Sequence, residues 1–546
     1  MPHLKISTVI VILLILTAYY MTLLLLWSLE RQPVTIKISN TQLLENRQDV
    51  GHTFQEEIKS GVNSLHEEGL KNDTSIDFCQ ILEHDLDWKM SSLEPLVTLD
   101  PNRFMYTAII NGPSNELMGL QEAIFVAIKT NRTLVVPPFK PHFKDKDRGT
   151  AGLVPTGMRV DVQMISRLIS VATIKDMKRK CDSRFDIGFQ TKKVACGFER
   201  YVNKTCGMLL ESRYSSLIKK DREYETIRYR KSKNCTTTVS LPIRRIPVSG
   251  MHPDMVRTKY MSHLPCGIMI NTYKSLLRPI TNLDEQLLEQ TQKDPTTLKS
   301  NNLKLTSSET LMKIIEIFTQ RPKYVRDIAQ KFVKEILQNS EYIAFHWRYN
   351  KEWKFSYCNP DRTRLQFCRK LERMESSDLA SATLLLTKDY IENMHPNFYK
   401  SKCLKSVVVN VYLAFATDDH VIVSALVKQQ SLDKSFQNDF LNKLFLEKNK
   451  SKLARFKDDK CWRIRVFNKV DLMQFLVENY PKRKCSVIWR DTHELISLIE
   501  NELCRKSTVF AYSPSSSWSG VALQTRWNES KHSNIAIWKV LDELQK

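Results

Sequence analysis

The chain has 546 residues, a formal net charge of +22 and 42% apolar residues. That length accommodates two or more ordinary domains, and the apolar share fills real cores, which excludes a disordered chain. Glycine, at 14 residues, is too scarce for glycine-rich phosphate loops to be the main device.

Residues 1–5 form a short tail. Ile6 to Leu29 is the one long apolar run; it holds no charge and is long enough to cross a bilayer. It ends in Leu26-Trp27-Ser28-Leu29-Glu30 without the small-x-small site of a cleaved leader, so it reads as an uncleaved signal anchor. All 12 cysteines follow it, from Cys79 to Cys504. Asn-x-Ser/Thr sequons also follow it, at Asn72, Asn131, Asn203, Asn234, Asn449 and Asn528. Paired thiols suit an oxidising compartment, and sequons are used only on its lumenal side. The expectation is a single-pass type II membrane protein with a cytoplasmic tail at 1–5. Its chain closes on Glu543-Leu544-Gln545-Lys546 rather than a retention tetrapeptide, which favours the Golgi membrane over the endoplasmic reticulum membrane. A lumenal body excludes nucleic acid as the partner of the positive charge and leaves an anionic glycan or a nucleotide.

Residues 30–100 are polar and acidic and read as a lumenal stem. The spacing then predicts a strand over Phe104–Ile110 and a turn at Asn111-Gly112-Pro113-Ser114-Asn115. A helix follows with Leu117, Leu120, Ile124 and Ile128 on one face and Ser114 as its N-cap. Thr133–Val136 reads as a second strand, stopped by Pro137 and Pro138. This is a βαβ unit whose turn sits at a helix N-terminus, where anions are favoured. Residues 140–300, which carry Cys181, Cys196, Cys206, Cys235 and Cys266, are expected to be helices and disulfide-tied loops. A polar stretch near 295–310 divides an N-terminal Rossmann-like domain, 101–310, from a C-terminal one, 311–546.

The second half opens with a helix over Val325–Leu337 and the run Glu341-Tyr342-Ile343-Ala344-Phe345, which feeds into His346-Trp347-Arg348. Strands are predicted at Val407–Ala416, Arg463–Phe467 and Thr508–Ala511. Helices are predicted at Asp419–Gln430, Leu472–Tyr480, Thr492–Cys504 and from Trp518. Alternating strand and helix means a parallel sheet covered on both faces. The fold class is therefore α/β, with two Rossmann-like halves across a cleft, and ligands in such sheets bind at the carboxyl tips of strands. Polar clusters fall at such tips: Asn115, His346 with Arg348, Ala416-Thr417-Asp418-Asp419, and Ser515-Ser516-Ser517-Trp518.

These clusters resemble the GDP-fucose protein O-fucosyltransferase family, a GT-B type glycosyltransferase family. Asn131-Arg132-Thr133-Leu134-Val135-Val136-Pro137-Pro138 is similar to that family's Asn-Arg-Thr-Leu-x-Val-Pro-Pro segment. His346-Trp347-Arg348, with Trp353 beyond it, is similar to its His-x-Arg strand end, and Ala416-Thr417-Asp418 to its Ala-Thr-Asp. Ser516-Ser517-Trp518 is similar to its Ser-Ser-Phe, with Trp for Phe. The resemblance implies that Arg348 binds the β-phosphate and stabilises departing GDP. It implies that His346 and Asn115 hold nucleotide and sugar, and that Asp418 contacts guanine. Ser516 and Ser517, with Trp518 beside them, fall at the phosphate. The family's Arg or Glu before the first-turn Asn is absent here, where the turn is Gly112-Pro113-Ser114. Glu116, after the Asn, is the candidate catalytic base, or else only suits the helix dipole.

The function so implied is transfer of fucose from GDP-fucose, with inversion, to a Ser/Thr hydroxyl of a secretory-pathway protein or to a glycan hydroxyl. No metal or other cofactor is expected, because Asp418-Asp419 begins a helix and lacks Asp-x-Asp spacing. Two other readings stay open: a non-catalytic lumenal binding or folding protein with the same fold, and a Golgi sulfotransferase. The last needs a phosphate loop after its first strand, and Asn111–Asn115 has neither Lys nor a glycine-rich run.

Overall fold

In its longer stretches the computed structural model describes residues 94–109, 112–141, 153–190, 198–214, 264–270, 307–348, 407–415, 462–485, 492–514, 516–524 and 532–537. Short pieces are described at 194, 216, 227, 241–245, 386, 387, 390, 489, 526 and 539. The anchor at 6–29, the stem up to 93 and the helix expected over Asp419–Gln430 lie outside them. Among the described residues no helix is long and apolar enough to cross a membrane.

The first half is a six-stranded parallel sheet. Its strands are β1 (Phe104–Thr107), β2 (Thr133–Val135), β3 (Val171–Ala172), β4 (Ile187–Gln190), β5 (Ile243–Arg245) and β6 (Cys266–Ile270), in the order β3-β2-β1-β6-β4-β5. β1, β2, β4 and β6 are buried along their whole length, as strands covered on both faces must be. Helix α1 (Pro113–Lys129) follows β1. Smaller helices α2 (Val162–Leu168), α3 (Ile174–Cys181) and α4 (Phe198–Cys206) lie further along. The region expected to hold helices and loops thus supplies four of the six strands. The disulfide expectation holds at Cys181–Cys266, which ties the end of α3 to the start of β6 across 85 residues.

Helix α1 begins differently from expectation. Gly112 is its N-cap and Pro113 occupies the first turn, where a missing N–H and a fixed φ suit a helix start. Ser114 is inside the helix and buried. Nearly every side of α1 is buried, because it lies between the first sheet and helices of both halves.

The second sheet contains β7 (Tyr342–Trp347), β8 (Val407–Phe415), β9 (Trp462–Asn468), β10 (Val509–Tyr512) and β11 (Ser533–Ala536), in the order β11-β10-β7-β8-β9, all parallel. Helix α5 (Ser307–Phe318) precedes it, and among the described residues four helices accompany it: α6 (Lys323–Glu335), α7 (Lys469–Asn479), α8 (Thr492–Lys506) and α9 (Ser517–Leu523). The strand order runs outward both ways from β7, so the chain reverses between β7 and β10. The first sheet reverses beside β1 in the same way. Such switch points are where open α/β sheets hold ligands.

Each sheet has its own core, but α5 crosses over. Met312, Ile315, Ile317 and Phe318 join the core of α1, β2 and α2, so the boundary expected at 310/311 falls inside a helix of the first half's core. Val521 of α9 joins that core too, whereas Ala522 beside it belongs to the second.

Arg132 is the staple of the first sheet. Its guanidinium is fully buried and donates to the carbonyls of Leu264 at 2.6 Å, Pro265 at 2.9 Å and Phe104 at 3.4 Å. Gly267 of β6 leaves the space: a Cβ there would meet Arg132 Nη1 at 3.3 Å and Phe189 at 3.1 Å. Burial lowers the Arg132 pKa to about 9, yet it stays a cation at neutral pH. Replacing it with Met keeps the stem and strands three carbonyls. Bonds to charged donors contribute about 1.5–3 kcal/mol each. Arg132→Met should therefore lose more than about 3 kcal/mol of stability in urea denaturation, with the slope unchanged.

Candidate functional site

The second half positions its site through one hydroxyl. Ala511 of β10 pairs with Phe345 of β7, so the chain leaving β10 arrives level with the end of β7. There Ser513 Oγ donates to the His346 carbonyl at 2.7 Å and accepts the Arg348 amide N–H at 3.1 Å. This bracket fixes the backbone of the strand tip on either side of Trp347. Arg348, partly buried, leaves the tip of the central strand at the switch point.

His346 is 2% exposed and serves as packing. Its ring stacks on Trp518 at 4.0 Å between centroids and 25° between planes. Its Nδ1 meets Ser519 Oγ at 2.7 Å, and that oxygen also accepts the Ser513 N–H at 3.2 Å. Burial, and then the nearby Arg348 guanidinium, pushes its pKa well below the ordinary imidazole value. The imidazole is neutral, so the charge at the tip belongs to Arg348.

Trp518 has a supporting place. Its Nε1 donates to Ser497 Oγ at 2.9 Å, and its carbonyl accepts from Asn501 Nδ2 at 2.9 Å, both on α8. Ser516 caps α9: it is 8% exposed, and its Oγ accepts the Ser519 N–H at 3.5 Å. Ser517 is half-buried in the first turn.

The first half reaches this place through a helix crossing. Met118 of α1 lies against Gly520 of α9, where a Cβ would meet Met118 Cε at 2.9 Å. One turn on, Gln121 and Gln524 exchange amide hydrogen bonds at 2.9 Å in both directions. Contacts advance the same way along both helices, so α1 and α9 run parallel and start side by side. Asn115, one turn before Met118, therefore lies toward the same end of the crossing as Ser516 and Ser517, which precede Gly520 by one turn. Asn115 Oδ1 is buried with no hydrogen-bond partner among the described residues. A buried amide oxygen left without a donor is unfavourable unless a ligand supplies one.

Glu116 turns elsewhere. It is 1% exposed, and its Oε1 accepts the Lys140 amide N–H at 3.4 Å. Burial first, and then the Glu494 carboxylate, raises its pKa well above the ordinary range, opposed by Arg159 and Lys140. It is buried in the seam between the halves, which is neither the open position a base needs nor the exposed first-turn position of a dipole partner. Lys140 in turn lies over the Tyr201 ring at 3.9 Å, and Tyr201 donates to the Ile109 carbonyl at 2.6 Å.

The structure thus places Asn115, Ser516 and Ser517 toward the same end of the crossing; Ser513 holds the backbone of His346 and Arg348, and Trp518 stacks on His346. Asp418 and Trp353 lie outside the described residues, as do Asn72, Asn234, Asn449 and Asn528. Of the other sequons, Asn203 is exposed on α4. Asn131 holds a left-handed turn (φ 50°), with its Oδ1 accepting the Asp100 N–H at 3.0 Å. Among the described residues no group of three His, Cys, Asp or Glu side chains is placed to hold a metal ion. Sequence reasoning missed Ser513, Ser519, Arg159 and Glu494. Only Ser519 left a trace, three residues after the capping Ser516.

His346 makes stability depend on pH. The folded chain holds it neutral, so the unfolded chain binds one more proton below an ordinary pKa of about 6.5. Stability is therefore present above that pH and is lost as pH falls below it, by up to about 1.4 kcal/mol per unit. His346→Phe, which keeps the stack on Trp518, should flatten the fall in melting temperature between about pH 7 and pH 5.

No family model matches the chain, and no curated protein matches it in sequence. Similar solved structures include POFUT1 in complex with GDP-fucose, with a TM-score of 0.40 and 10% identity over 80% of this chain and 99% of that one. A FUT1 mutant from Arabidopsis thaliana in complex with GDP has a TM-score of 0.35 and 12% identity over 86% of this chain and 77% of that one. Fucosyltransferase NodZ from Bradyrhizobium has a TM-score of 0.29 and 13% identity over 77% of this chain and 92% of that one.

Proposed function

We propose that the chain is a glycosyltransferase that moves fucose from GDP-fucose, with inversion, to a Ser/Thr hydroxyl of a protein or to a glycan hydroxyl. The observation that carries this reading is Arg348. It leaves the tip of the central strand at a switch point, its backbone bracketed by Ser513, beside a neutral His346. The solved structures similar to this chain are fucosyltransferases, some holding GDP or GDP-fucose, which agrees with the reading.

Breaking the bond between fucose and phosphate leaves negative charge on GDP. A preorganised cation lowers the barrier most when it need not reorient as that charge develops. A guanidinium carried on a backbone held at a strand tip suits this requirement and offers two parallel N–H groups to a phosphate. Asn115 supplies amide groups at the neighbouring helix start, and Ser517 a hydroxyl. With the leaving group stabilised, inversion needs an acceptor hydroxyl held on the opposite face of the sugar. Asp418 would contact guanine.

We place this activity on the lumenal side of a Golgi membrane, with Ile6–Leu29 as the anchor. The Cys181–Cys266 disulfide, the sequons and the even cysteine count support an oxidising compartment.

The test measures GDP release from GDP-fucose and GDP binding by calorimetry. Wild-type protein should release GDP. Arg348→Ala should reduce turnover by about 10² to 10³, the loss typical when a charge-stabilising group is removed from a transition state. Arg348→Lys should recover only part of it. GDP binding without turnover would make the chain a binding protein instead, and no GDP binding would refute the donor.

A further inference from the structure

The seam between the two halves holds more charge than its packing requires. Arg159, in the segment before α2, is fully buried and faces Glu494 in the first turn of α8. Nη2 donates to Glu494 Oε2 at 2.7 Å, and Nε lies 2.6 Å from Oε1 as a close but poorly aligned ion contact. Glu116 adjoins this pair, with Oε1 on the Lys140 amide and Oε2 without a hydrogen-bond partner among the described residues. Arg321, between α5 and α6, is 2% exposed, and none of its nitrogens has a hydrogen-bond partner among the described residues. Its field comes from Glu502, Glu494 and Glu116, with Arg159 opposing.

We propose that Glu116 is a positioning residue: its bond to the Lys140 amide ties the first turn of α1, and with it Asn115, to the exit of β2, in the field of the Arg159–Glu494 pair at the seam. This rests on the donor reading above, in which Asn115 contributes its amide to the nucleotide site. The groups that face Glu116 are Glu494 from α8, Arg159 before α2, Lys140 after β2, Tyr201 from α4 and Arg321 from the α5–α6 junction.

Three observations favour positioning over proton transfer. A base must reach the acceptor hydroxyl, and a carboxyl 1% exposed between two halves does not. The Arg159 guanidinium hydrogen-bonds Glu494, and among the described residues no ion pair holds Glu116 as the anion. Its one bond is to the Lys140 backbone, which joins the start of α1 to the exit of β2. An amide of the same shape can keep that bond, so glutamine should substitute where alanine fails.

The experiment uses the full chain with Glu116→Gln, Glu116→Ala, Glu494→Gln and the double variant Glu116→Ala/Glu494→Gln. GDP affinity, GDP-fucose turnover against pH, and melting temperature are measured for each. Glu116→Ala should weaken GDP binding roughly tenfold, as a displaced helix start misplaces Asn115 by a fraction of an ångström. Glu116→Gln should rescue the affinity and keep the wild-type shape of the pH profile. The melting shifts of Glu116→Ala and Glu494→Gln should be non-additive, as for groups in contact. The proposal is overturned if Glu116→Gln loses turnover as fully as Glu116→Ala while binding GDP normally, which is the signature of a base. It is equally overturned if Glu116→Ala melts lower yet binds GDP unchanged, or if the melting shifts simply add. A wild-type chain that binds no GDP refutes the donor, and the melting cycle alone then decides whether Glu116 couples to the seam.

Discussion

The parallel crossing of α1 on α9 is the contact on which the arrangement of the molecule depends. Each sheet folds around its own buried strands, and nothing within either sheet says where the other must lie. The crossing says it. Met118 seats against Gly520, Gln121 and Gln524 exchange amide hydrogen bonds, and Val521 enters the core of the opposite half. Apolar contact alone would permit sliding. The reciprocal amides and the buried Arg159–Glu494 pair do not, since each group loses its partner if the register shifts. A buried ion pair adds little net stability against an apolar alternative, but breaking one by removing a partner costs about 3–5 kcal/mol. Its effect is to select one arrangement of the halves over its neighbours.

That selection matters because the role proposed for Arg348 is electrostatic. Guanidinium charge acts on a developing anion only if its direction is set beforehand. The strand and Ser513 hold the backbone from which that side chain leaves, one hydroxyl serving twice, as donor to His346 O and acceptor from Arg348 N. His346 adds rigidity without adding charge. Clamped between Trp518 and Ser519 and kept neutral by burial, it leaves the cation beside it free of a second proton-binding group.

Much of this was legible in the chain. β1, β7, β8 and β10 are apolar runs, and parallel strands covered on both faces need such runs. His346 and Arg348 stood out because they end one. Other strands were hidden for physical reasons. β3 is two residues long, β11 is Ser-Asn-Ile-Ala at an edge, and β6 carries the glycine that makes room for Arg132. Domain limits were hidden as well, because α5 follows the polar stretch that suggested a boundary yet packs backward onto α1 and α2. The bracket and the seam were beyond reach from sequence. Ser513 acts on a backbone amide 165 residues away, and Arg159 meets a carboxylate 335 residues away. Only folding shows that a serine after a strand, or an arginine between Met158 and Val160, has such a partner.

Asn115 and Glu116 show how the seam and the site are joined. They are consecutive in the first turn of α1, and consecutive helical residues point about 100° apart. One therefore faces the start of α9 while the other enters the seam. Among the described residues Asn115 Oδ1 has no partner, a state that is unfavourable until water or a ligand supplies a donor. Such a group holds its place only if the surrounding structure holds it there. Glu116, next in the same turn, is buried, bonded to the Lys140 amide and in the field of Arg159 and Glu494. The rigidity of the seam and the readiness of the site thus meet across a single peptide bond, and for that reason a change at Glu116 should be felt in nucleotide affinity before it is felt in chemistry.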